Sequence, residues 1–135
     1  MALVHLIVGG AFLALFLLTG VYMLDQFPEL YQNREEVRMM YRATHIYLLF
    51  AALLNLLSWQ QFKSSPFVFG GNVRSLASVL IALSPLILFV AFCLEPASYM
   101  IERPIGFWGV VCAFVGVMLH TALQIPLVRR LVGEK

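Results

Sequence analysis

Four blocks of apolar residues, each long enough to cross a hydrocarbon core of about 30 Å at about 1.5 Å per residue, constrain this chain more than any other feature. The first, Ala2 to Leu24, reads ALVHLIVGGAFLALFLLTGVYML and is interrupted only by His5, Thr19 and three glycines. A cleavable signal peptide is the competing interpretation. Against it stand the missing basic leader, the length of the apolar run and the lack of a small-x-small site before the polar segment. With 61% hydrophobic and 12% charged residues over 135 positions, a water-soluble domain is excluded. The expected fold is all-α: four transmembrane helices over about 2–24, 34–60, 73–94 and 104–128, forming one domain over 1–135 as an up-down-up-down bundle.

The connections support that division. Pro28 in DQFPELYQNREEVRMMY argues against continuation of helix 1, and Asn33 followed by Glu36 forms a capping box that starts helix 2 near Arg34, outside the bilayer. Helix 2 is therefore expected to project beyond the membrane. Pro66, the Gly70-Gly71 pair and Asn72 mark the next turn and the start of helix 3. Within helix 3, Pro85 cannot donate to the carbonyl of Ile81, so a kink is expected there, with neighbouring groups or hydroxyls satisfying the freed oxygen. Pro104 suits the first turn of helix 4, and Arg129 and Arg130 are expected to end it.

Lys63, Arg74, Arg129, Arg130 and Lys135 fall on the face that carries the amino terminus, against Arg34, Arg38, Arg42 and Arg103 on the other. That balance places both termini in the cytoplasm of a bacterial inner membrane. A net charge of +2 without an interleaved basic and aromatic surface gives no support to nucleic acid as a partner. The bilayer and either a second copy or a larger membrane subunit are the expected partners. Cys93 and Cys112 lie inside apolar blocks and read as small hydrophobes. No CxxC, HExxH, Gly-rich nucleotide loop or other familiar catalytic motif is present, so the chain reads as non-enzymatic and no metal ligand set is assigned.

Polar groups inside the blocks are the functional candidates. Glu35, Arg38, Arg42, His45, Leu48, Ala52 and Asn55 recur at spacings of three and four, which aligns them on one face of helix 2. Read functionally, Arg42 would hold an anionic group at the membrane edge and His45 would sit one turn deeper on the same ligand, a lipid or quinone, with Arg38 and Asn55 on the same face. Read as structure, the charged residues form a solvated face, Arg42 snorkels, and His45 bonds a neighbouring helix. Helix 4 places Gly109, Cys112, Ala113, Gly116, His120 and Gln124 on one face, where small residues allow close helix approach, as Gly9 and its neighbours do in helix 1. A non-enzymatic homo-oligomer, associating through such faces including Gly116, or an accessory subunit beside a larger partner is the leading functional expectation.

His5, His45 and His120 raise haem or porphyrin binding as an alternative, since helix bundles hold haem between imidazoles. Helical rise places His5 about 3 Å, His120 about 12 Å and His45 about 22 Å inside the cytoplasmic edge, so no two share a level unless a tilt or a second subunit brings His5 near His120. The His near the start of helix 1 and the YRAT segment opening helix 2 resemble the bacterial membrane protoporphyrinogen oxidase family. The Trp and the Pro-Arg pair of that family's first helix are replaced here by GGAFLALFLLTG. Arg42-Ala43 is similar to the MAPEG glutathione-transferase superfamily, whose following Asn and Glu are replaced by Ile46 and Leu48 or their neighbours. Each resemblance covers a handful of residues and implies no activity.

Overall fold

The structure is a computed structural model that describes residues 1–64, 71–96 and 102–133, with side chains on the last helix described as far as Leu123. The expected turn at Pro66 and Gly70, and the roles of Lys63, Gln124 and Lys135, lie outside the described residues or side chains. Four helices occupy nearly all of the rest: α1 (Ala2–Leu30), α2 (Glu35–Ser64), α3 (Gly71–Leu94) and α4 (Pro104–Gly133). All four are long and apolar enough to cross a membrane, which gives the chain the build of an integral membrane protein.

Three helix ends run past the sequence-based expectation, α2 by four residues to Ser64 and the other two further. Helix α1 runs through Pro28 to Leu30. A proline in the last turn forfeits only its own bond to the Leu24 carbonyl, and Phe27 holds the turn in place by packing in a buried cluster with Val37, Tyr41 and Phe92. Helix α4 continues past Arg129 and Arg130 to Gly133. Arginine is a good helix former, so charge ends a hydrocarbon span without ending the helix that carries it. At the start of α2, the Arg38 amide bonds the Arg34 carbonyl at 3.2 Å, which makes Arg34 the capping position, one residue after Asn33.

The helices pack in chain order, α1 on α2, α2 on α3 and α3 on α4. Contacts of α1 with α3 and of α2 with α4 are sparser, and α1 and α4 do not meet among the described residues. Glycine sets the spacing of both outer pairs. A β-carbon at Gly9 would lie 2.8 Å from Leu56 of α2, while one at Gly116 would lie 2.7 Å from Ile81 and 3.1 Å from the Ala77 carbonyl of α3. Gly109 is filled in the same way by Leu88. The small-residue face of α4 thus serves packing within the chain. Between these pairs lies the second apolar core, Leu48, Ala51 and Leu88, flanked by Phe12, Phe16, Phe89 and Val110.

Candidate functional site

The inward stripe of α2 ends on Asn55, and there the chain assembles a buried polar cluster from three helices. Asn55 is fully buried, and its Nδ2 donates to the Ala51 carbonyl of its own helix and to the Ile81 carbonyl of α3, each at 2.9 Å. Ile81 is the residue whose oxygen Pro85 leaves without its helical partner, and Ser84 Oγ donates to the same oxygen at 2.9 Å. The acceptor freed by the proline is therefore doubly satisfied, by a hydroxyl of its own helix and an amide from the next.

The orientation of the Asn55 amide fixes the histidine beside it. With Nδ2 facing two carbonyls, Oδ1 faces His5 Nδ1 at 2.8 Å, so Nδ1 carries the proton and donates. In the neutral ring Nε2 is then the acceptor, and Ser78 Oγ donates to it at 2.7 Å. His5 is fully buried with both ring nitrogens bonded inside the protein. A haem iron would need the ring's one available lone pair, on Nε2, and this arrangement gives it to Ser78.

The other histidines sit in separate surroundings. His45 Nδ1 lies 3.0 Å from Thr19 Oγ, whose own proton goes to the Phe16 carbonyl, so His45 donates and Thr19 accepts. The ring stacks on Phe16 with centroids 4.1 Å apart, and a β-carbon at Gly20 would come within 3.3 Å of it. His120 Nε2 meets Gln61 Oε1 at 2.5 Å, joining α4 to the end of α2.

Arg38 and Arg42 remain outside these clusters. Both lie near Glu35, at 3.8 Å and 3.9 Å, and Arg38 also stands over the Phe27 ring. Arg42 is exposed. The predicted stripe thus divides into a charged part, exposed at Glu35 and Arg42 and half-buried at Arg38, an imidazole held by α1 and an amide in the core.

Sequence reasoning missed a fourth group. Glu95 is only 4% exposed; its Oε1 accepts the Gly106 amide in the first turn of α4 at 2.8 Å, and its Oε2 lies 3.5 Å from Arg103 Nε. A β-carbon at Gly106 would fall 2.8 Å from Glu95 Oε2, so a larger residue there would require the carboxylate to shift. Arg103 reaches across to Thr44 Oγ and the Met40 carbonyl of α2, and Thr44 itself donates to Met40. A carboxylate from the end of α3 thereby caps α4 while its arginine partner ties the connection to α2. The available signal was an acidic residue directly after an apolar run and an arginine directly before the helix-starting Pro104.

A lateral cleft of about 380 Å³ opens among α1, α2 and α3, lined by Leu15, Leu18, Thr19, Tyr22, Tyr41, Phe89, Phe92 and Cys93. Among the described residues no group of three His, Cys, Asp or Glu side chains converges as a metal site requires. Compared with known proteins, the chain matches no protein family, no curated protein and no solved structure.

Proposed function

We propose that this is a four-span membrane protein, up-down-up-down with both termini in the cytoplasm, that works without catalysis as a homo-oligomer assembled through the outer face of α1. The alternating directions are supported by the partner pairs: His5 with Asn55, Asn55 with Ile81, and Gly116 with Ile81. The orientation rests on the Lys and Arg balance of the two faces. Polar side chains within the spans bond one another, which leaves hydrocarbon to face the bilayer.

The observation that carries the assembly is the contrast among glycines. Gly9, Gly109 and Gly116 are filled by Leu56, Leu88 and Ile81 of the same chain, whereas a β-carbon at Gly10 would meet nothing within 4 Å. Gly10 and Ala14 form an exposed small-xxx-small pair in line with Leu3, Ile7, Leu17 and Val21, all outward. This is the geometry that lets a second helix approach closely in a membrane.

Native mass spectrometry in mild detergent tests it. Gly10→Leu is expected to convert the oligomer to monomer with little loss of folded protein, and Gly116→Leu to reduce the folded yield by overpacking α3 against α4. An oligomer mass unchanged by Gly10→Leu rejects the α1 interface. A wild-type monomer would assign the chain to a larger partner instead.

A further inference from the structure

We infer that the lateral cleft binds an uncharged lipid bearing a planar polar ring, of the prenylated quinone class. This rests on the membrane placement proposed above. In that placement the cleft opens to hydrocarbon at Leu18 and Cys93, both exposed, so its occupant arrives dissolved in the bilayer. Its volume falls at the low end of the roughly 300–1,000 Å³ of small-molecule sites. That suits a ring, with the tail left among the lipids.

The lining decides the chemistry. Tyr22, Tyr41 and Phe92 form an aromatic corner, with centroids 5.0 Å apart for Tyr41 and Phe92 and 6.3 Å for Tyr22 and Phe92. Such walls accept a flat ring by offset or edge contact. No charged residue lines the cleft, and exposed Arg42 is paired with Glu35. A phosphate, a fatty carboxylate or a porphyrin propionate would therefore be desolvated without a counter-charge. The polar atoms that remain are hydroxyls. Thr19 gives its proton to Phe16, and the tyrosine hydroxyls are linked, Tyr31 3.4 Å from Tyr41 and Tyr41 in turn hydrogen-bonded with Tyr22, so a chain running from Tyr31 through Tyr41 to Tyr22 leaves the Tyr22 proton for a ligand. A phenol donor beside a neutral ring matches a molecule whose polar atoms are acceptors, as quinone carbonyls are.

The full chain in phosphatidylcholine nanodiscs is photolabelled with an azido-benzoquinone carrying a decyl tail, and labelled peptides are read by mass spectrometry. Label is expected on α1 near Leu18 and on α3 near Cys93, reduced at least about tenfold by unlabelled decyl-benzoquinone and unchanged by diacylglycerol. Cys93→Trp, at an exposed position, is expected to fill the mouth and abolish labelling, with Leu18→Trp in its place if that variant does not fold. Tyr22→Phe should weaken labelling about fivefold through loss of one hydrogen bond. Labelling that resists competition, yields equally to diacylglycerol or survives both tryptophan variants overturns the site. If the wild-type chain is not recovered with the nanodiscs, the membrane placement has failed instead.

Discussion

The two ends of the helical array hold polar groups among apolar ones by different means. At the end that carries His5, the buried groups are neutral: an imidazole, an amide and two hydroxyls, each with its partners supplied by α1, α2 and α3. At the opposite end, Tyr41 and Phe92 fill the space between helices, and the charged pair Glu95 and Arg103 stands where α3 ends and α4 begins. The difference follows from desolvation. Neutral groups with all bonds made can lie deep, while a carboxylate needs an opposite charge and the amides of a helix start to offset its removal from water.

Substitution at Glu95 should break this contrast hardest. Glu95→Ala is expected to destabilise the protein by about 3 kcal/mol, because it leaves Arg103 partly buried without its anion and removes the α4 cap. Glu95→Gln should recover part of the loss, since an amide oxygen still accepts from Gly106. Equilibrium unfolding in bicelles measures both, and a Glu95→Ala variant as stable as wild type would show that the pair contributes nothing.

The neutral end should respond less. His5→Leu and Asn55→Leu are each expected to cost about 1–2 kcal/mol, with a coupling of about 1 kcal/mol in the double variant, in keeping with measured interhelical hydrogen bonds. Strict additivity would show that the two side chains do not act through their mutual bond. The smallest effect belongs to Arg42→Gln, expected below about 0.5 kcal/mol because its contact with Glu35 is long and exposed. A larger loss would restore Arg42 as a ligand or partner contact.

Much of the fold was legible because it is a matter of period and length. The apolar runs give four helices, the spacing of Leu48, Ala52 and Asn55 turns that amide inward, and Ser84 beside Pro85 announces a hydroxyl near a freed carbonyl. The candidate site was legible only in part. His5, His45, Asn55 and His120 stand out as polar residues in apolar runs, but their partners Ser78, Thr19 and Gln61 lie up to 73 positions away and leave no periodic trace. Glu95 and Arg103 were counted as loop charges, since nothing in a linear sequence says that a loop folds back on the helix start it precedes. Arg42 shares a helical face with His45 and Asn55 yet lies exposed beside Glu35, because a shared face does not imply a shared depth.

One pattern in the hydrogen bonds bears on how such a chain is made. Thr19, Thr44, Asn55 and Ser84 each donate to a carbonyl of their own helix, three or four residues back, whatever else they bond. On the membrane placement proposed here, a newly synthesised helix leaving the insertion machinery would already have those donors satisfied before a neighbour arrives. The Asn55 amide has a second proton and the Ile81 oxygen a second lone pair, so joining α2 to α3 adds a bond without breaking one. His5 differs, for the bonds described for its ring run to α2 and α3. Its place near the start of α1 lets it wait at the lipid headgroups, and drawing it inward would be the closing step of assembly.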